Sequence, residues 1–82
     1  MFAVYVLYSR KYDKIYIGFT SNLEQRLISH NKLSNKGWTP KYRPWKLILK
    51  EEFPDKKSAM KRERELKSHK GRDFIRNLIL EK

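Results

Sequence analysis

The run from Phe2 to Tyr8, FAVYVLY, constrains this chain more than any other segment. It is rich in β-branched and aromatic residues, so it reads as a strand. Its odd and even positions are both apolar, which predicts a central strand covered on both faces. The chain has only 82 residues. A domain of that length buries about 60–65% of its unfolded surface, which suffices for one modest core. One domain spanning residues 1–82, built around this strand, is the expectation.

The other elements follow from pattern and punctuation. Residues 9–14 are polar enough for a hairpin loop, and Lys14 to Thr20 reads as a second strand. The short connection makes the two antiparallel. Gly18 inside that strand marks a bulge or a close approach of backbone or ligand. Ser21 and Glu24 have capping-box spacing, so a helix is expected from about Asn22 to Asn31–Leu33. Residues 34–45 contain two prolines and a glycine without a clear period, and read as a loop. A third strand follows from Trp45 to Glu52, with Leu47 and Leu49 on one face. Pro54-Asp55 opens a helix that should run to about Lys70 and end at Gly71. A last helix, Arg72 to Leu80, pairs Phe74 and Ile75 with Leu78 and Ile79. The fold class is α+β: a small antiparallel three-stranded sheet flanked by helices, in the order β-β-α-β-α-α.

Charge narrows the partner. Lys and Arg number 20 against 9 acids, a net charge of +11. So strong a positive balance on a small domain favours a polyanion, and nucleic acid above an anionic membrane surface. The basic residues are spread along the whole chain. No cysteine is present, so disulfides and thiolate metal sites are excluded. No apolar run approaches the ~20 residues of a membrane span. The N-terminus lacks a basic segment before its apolar stretch, unlike a signal peptide. A cytoplasmic location is expected.

Several residues could carry chemistry. On the first helix, Arg26 and His30 lie four apart and on the side of Leu23 and Leu27. Arginine offers a charged planar fork to phosphate oxygens. The alternative is two long side chains at a core boundary. On the next helix Glu63 falls inside the arc of Ala59, Met60 and Leu66, whereas Glu65 faces solvent. A carboxylate on an apolar stripe needs a cation or an ionic partner, and Arg26 and Lys67 are the partners within reach. One glutamate completed by water and phosphate suits Mg²⁺. Tyr5 and Tyr16 each sit in a strand, where core packing competes with a role in proton transfer. The loop at 34–45 interleaves Trp38, Tyr42 and Trp45 with Lys36, Lys41 and Arg43, a composition suited to stacking on bases and tracking phosphates. Trp45, next to a strand, reads as a core residue.

Together these positions resemble the GIY-YIG nuclease superfamily, in particular the small stand-alone bacterial proteins related to the nuclease domain of excinuclease C. Val4-Tyr5-Val6 stands at the first motif. Tyr16-Ile17-Gly18 matches the second letter for letter. The run Thr20 to Asn31 matches the arginine helix, Tyr42 to Leu47 matches the approach to the third strand, and Ala59 to Lys67 matches the glutamate helix. The resemblance implies that Tyr5 and Tyr16 shape the site and that one of them assists deprotonation of the attacking water. It implies that Arg26 binds the scissile phosphate, that His30 aids proton transfer or phosphate binding, and that Glu63 holds one divalent metal ion, normally Mg²⁺. The chain departs from the family in having Val-Tyr-Val for Gly-Ile-Tyr, and Phe19 where some relatives have lysine. The general base is open among Tyr5, Tyr16 and His30.

The resulting expectation is a Mg²⁺-dependent endonuclease on duplex, nicked or branched DNA, with a place in repair or recombination. Lys36, Trp38, Lys41, Tyr42, Arg43 and Lys67 are the expected nucleic-acid contacts. The alternative is a nucleic-acid-binding module with little or no cleavage.

Overall fold

The computed structural model describes residues 1–28 and 39–81. Its elements are β1 (Phe2–Ser9), β2 (Lys14–Thr20), α1 (Leu23–Ile28), a 3-10 turn (Thr39–Tyr42), β3 (Lys46–Phe53), α2 (Lys56–Lys67) and α3 (His69–Leu80). The architecture is α+β in the expected order. The sheet order is β2-β1-β3, with both pairs antiparallel. β1 is thus central, as its two-sided apolar pattern requires.

The two faces of the sheet bury different sets of residues. Val4, Val6 and Ile17 pack with Ala59, Leu66 and Ile75, residues of α2 and α3. Tyr5, Leu7 and Trp45 form the opposite cluster, with Tyr16, Leu23, Leu27, Tyr42 and Leu47 against it. Trp45 is buried, as its place before the strand suggests. On the α2 side, Arg62 grips Glu51 of β3 with both ends of its fork, Nε to Oε1 at 2.6 Å and Nη2 to Oε2 at 3.2 Å.

Leu47 and Leu49 do not share a face. The β1–β3 register shifts so that Val6 faces Leu49 and Leu7 faces Leu47. Ile48 is the extra residue of a bulge, which reverses the alternation on either side of it. Leu47 therefore joins the aromatic cluster while Ile48 and Leu49 join the aliphatic one.

Three helix ends also differ from expectation. Asn22, not Ser21, caps α1: the Gln25 amide donates to its Oδ1 at 3.1 Å. β2 runs through Thr20, whose hydroxyl accepts from the Asn22 amide, so Ser21 is used up in the turn. α2 opens as expected, with the Ser58 amide donating to Asp55 Oδ1 at 2.7 Å, but it stops at Lys67. Ser68 ends α2 with extended backbone and caps α3 by accepting from the Gly71 amide. Gly71 thus lies in the first turn of α3. A Cβ there would run into the backbone of Glu65 and Leu66, so its glycine permits two helices to meet closely. Met60 and Phe74, assigned by period to the core, are exposed.

The β1–β2 hairpin turns through Asp13 at φ 53°, a left-handed conformation that aspartate tolerates. Its Oδ1 accepts from the Tyr8 hydroxyl at 2.9 Å and from Arg76 Nη1 at 2.7 Å, tying the hairpin to α3.

Candidate functional site

Strand register brings the two tyrosines together. Tyr5 is opposite Gly18 and Leu7 is opposite Tyr16, so both tyrosines project from one face, diagonally across β1 and β2. Their ring centroids are 6.1 Å apart and tilted by 31°. The Tyr5 ring lies over Gly18. A Cβ at Gly18 would sit 2.8 Å from the Tyr5 hydroxyl and 3.1 Å from the Tyr16 ring. That is the close approach a strand glycine advertises, and the ligand of this glycine is a neighbouring side chain.

The pair is asymmetric. Tyr5 is 1% exposed, whereas Tyr16 is half-buried. Burial pushes the Tyr5 hydroxyl well above the ordinary tyrosine range. The charge of an ionised Tyr16 and a hydrogen bond with its hydroxyl push the same way, and so does the carboxylate of Glu63. Arg26 pulls the value down. Tyr5 therefore lies within electrostatic reach of residues from β2, α1 and α2.

Arg26 is exposed at the rim of this face, not tucked with the apolar stripe. Leu23 and Leu27 fill the contact with the aromatic cluster, which leaves the arginine over its edge. Ile28 is exposed. Glu63 is half-buried and Glu65 is exposed, the phase expected for α2. Lys67 Nζ lies 3.6 Å from Glu63 Oε2, one helical turn on. Of the two ionic partners considered for Glu63, Lys67 is thus the one in contact. No group of three or more His, Cys, Asp or Glu side chains stands ready for a metal among the described residues. A cation at Glu63 would take most of its shell from water and substrate oxygens.

Among the expected nucleic-acid contacts, Lys41 is exposed, Arg43 is partly buried, and Tyr42 is partly buried against the aromatic cluster. His30, Lys36 and Trp38 lie outside the described residues. Three residues of the hairpin were not singled out by the sequence: Lys11, Tyr12 and Lys14. Tyr12 meets Tyr42 edge to face, with centroids 5.4 Å apart. Lys14 stands over the Tyr42 ring and Lys11 over that of Tyr12. The signal was present in Lys11-Tyr12-Asp13-Lys14, an aromatic among cations, but read as an ordinary polar loop.

The profile of the GIY-YIG catalytic domain matches residues 1–77. The chain belongs to the GIY-YIG family. It is 38% identical over 58 residues to a UPF0213 protein of Staphylococcus haemolyticus, covering 71% of each chain. It is 38% identical over 65 residues to a UPF0213 protein of Natronomonas pharaonis, covering 79% of this chain and 75% of that one. The solution NMR structure of a UPF0213 protein from Bacillus halodurans superposes with a TM-score of 0.55 at 25% identity, over 95% of this chain and 85% of the other. GIY-YIG proteins are a nuclease family, so a nucleic-acid substrate goes with the fold. In this GIY-YIG chain the second motif, Tyr16-Ile17-Gly18, supplies both a tyrosine of the pair and the glycine under Tyr5. No helix of the described residues is long and apolar enough to cross a membrane.

Proposed function

We propose that this chain, acting as one domain, is a Mg²⁺-dependent endonuclease that hydrolyses DNA phosphodiester bonds in repair or recombination. The observation that carries the proposal is the asymmetric tyrosine pair, Tyr5 buried and Tyr16 half-buried with both rings against Gly18, and Arg26 exposed on the helix that packs against the same face.

The roles follow from access. Tyr16 is the member of the pair that a bound water can reach, and it takes part in removing that water's proton. Tyr5, held behind it, fixes the Tyr16 hydroxyl through their hydrogen bond. Arg26, charged at any relevant pH, binds non-bridging oxygens of the scissile phosphate from the rim. Glu63 fits a hard cation that keeps its waters, because one carboxylate is what such an ion commonly takes from protein. When bound, that cation would supply charge neutralisation at the leaving oxygen. Lys67 would then turn from Glu63 to a phosphate, joining Lys41, Tyr42 and Arg43 as a DNA contact. His30, Lys36 and Trp38 complete the proposed set from the sequence alone.

The test is cleavage of duplex, nicked and branched DNA with Mg²⁺ and with EDTA, by the wild type and two glutamine variants. Glu63→Gln should lose cleavage and any Mg²⁺-dependent rise in melting temperature, with its metal-free stability kept. Glu65→Gln should keep both. A second reading, a binding module without cleavage, is favoured by one contact, the Glu63–Lys67 ion pair. It predicts salt-dependent binding, no cleavage under any metal condition, and a Glu63→Gln variant that is less stable without metal.

A further inference from the structure

The hairpin tip carries a feature that the tyrosine site does not use. Tyr12 is 41% exposed, yet it is not isolated. Its ring meets Tyr42 of the 3-10 turn at 73°, so the two rings form a corner. Lys11 Nζ stands 5.5 Å from the centroid of the Tyr12 ring, and Lys14 Nζ the same distance from that of Tyr42. Asp13 between them is anchored to Arg76, which holds the tip in place. Rings set in a corner, each with a cation over one face, place aromatic surface and positive charge together, which suits a flat, electron-rich aromatic attached to a phosphate.

The corner adjoins the tyrosine pair. Lys14 and Tyr16 project from the same face of β2, two residues apart, or about 7 Å along the strand. One nucleotide can bridge that distance. Tyr42 also packs on the cluster that contains Tyr5, Tyr16 and Trp45.

We propose that Tyr12 and Tyr42, flanked by Lys11 and Lys14, form a subsite that stacks an unpaired DNA base beside the phosphodiester to be cut. Its adjacency to a cut rests on the nuclease reading; the binding of the base does not. A base inside a duplex has both faces covered by its neighbours and cannot stack on the corner. The subsite therefore selects DNA with an unpaired nucleotide at the junction, such as a tail, flap or gap.

The experiment measures binding of the full chain in EDTA at one fixed salt concentration, by fluorescence anisotropy. The probes are a blunt duplex, the same duplex with a short thymidine tail, and the same duplex with an abasic tail, the two tailed probes having equal numbers of phosphates. The wild type should bind the thymidine tail about 5- to 100-fold more tightly than the abasic tail, as expected for one stacked base. Tyr12→Phe should keep that ratio. Tyr12→Leu, which preserves an apolar contact with Tyr42, should bring it near one without changing affinity for the blunt duplex. Equal binding of the thymidine and abasic tails by the wild type overturns the subsite, and so does a Tyr12→Leu variant that keeps the preference. If Tyr12 only holds the hairpin down, its variants will weaken all three probes together and lower the melting temperature. Cleavage is read separately: a tail preference without cleavage sinks the nuclease reading alone, and cleavage without a tail preference sinks the subsite alone.

Discussion

The two faces of the sheet use the same central strand for different ends. Behind β1, Val4 and Val6 meet Ala59, Leu66 and Ile75 in an aliphatic layer closed by two helices of 12 residues each. In front, Tyr5 and Leu7 meet an aromatic layer, and the described part of α1 buries none of its own residues fully. The closed face can convert burial into stability, because its side chains leave water completely. The open face leaves Tyr16 and Arg26 accessible, and so keeps polar groups where a substrate can reach them. On the proposed reading, the tyrosines and Arg26 belong to the open face, and Glu63 is supplied by a helix that closes the other.

That division can be broken by two substitutions with opposite signatures. Leu66→Ala removes a side chain that is 1% exposed from the closed face. It should cost about 2–5 kcal/mol, a large part of a total of about 5–15 kcal/mol. Urea denaturation should show this, while activity per folded molecule stays near the wild-type value. Arg26→Ala, at the rim of the open face, should do the reverse. Loss of one charge-stabilising group should lower the cleavage rate about 10²–10³-fold, with the melting temperature within a degree or two of the wild type, because an exposed arginine contributes little to stability. If Arg26→Ala unfolds the protein, or if it cleaves normally, the two faces are not divided as described.

Gly18→Ala sharpens the comparison, since Gly18 lies on the open face but its contact is steric. The added Cβ would meet the Tyr5 hydroxyl at 2.8 Å, and the ring is too well buried to swing away. Either the strand or the ring must shift by a few tenths of an ångström. The expected result is a rate about 10- to 100-fold lower, because small displacements of reacting groups are costly, with about 1–3 kcal/mol of stability lost to overpacking. A variant that keeps full activity would show that the hydroxyl of Tyr5 need not be held where it is.

The smallest effect concerns the link between the faces. Arg76 of α3, and then Tyr8, hold the Asp13 carboxyl below the usual carboxylate range. Its contribution to stability is therefore complete above the unfolded value of about 3.9 and is lost as pH falls through the lower folded value. Asp13→Asn should reduce stability slightly at pH 7, and the difference from wild type should begin to shrink below about pH 4 and vanish only below the lowered folded value. A gap that persists in acid would mean that the left-handed turn at Asp13, and not its charge, anchors the hairpin.

Much of the fold was legible because its signals are local. The two-sided apolar run of β1 reported a central strand, and the helical phase of α2 separated Glu63 from Glu65. What was misread depended on contacts between elements. Gly71 looked like a helix end because nothing in its neighbours says that the backbone of Glu65 and Leu66 will lie against it. Arg26 shares a helical side with Leu23 and Leu27, but sharing a side does not reveal where the partner surface stops. Tyr12 gained its interest only when the 3-10 turn delivered Tyr42 to it.

By itself, then, the sequence determined the kind and order of the elements, the basic surface, and the motif that ties Tyr16 to Gly18. Period, capping chemistry and charge count act over a few residues, so they can be read without knowing the fold. Tertiary structure decided that Tyr5 lies over that glycine, that Lys67 pairs with Glu63, and that a bulge at Ile48 splits Leu47 from Leu49. Those outcomes depend on strand register and helix approach. A shift of one residue in register moves a side chain to the other face, and only the packing of the whole chain selects which shift occurs.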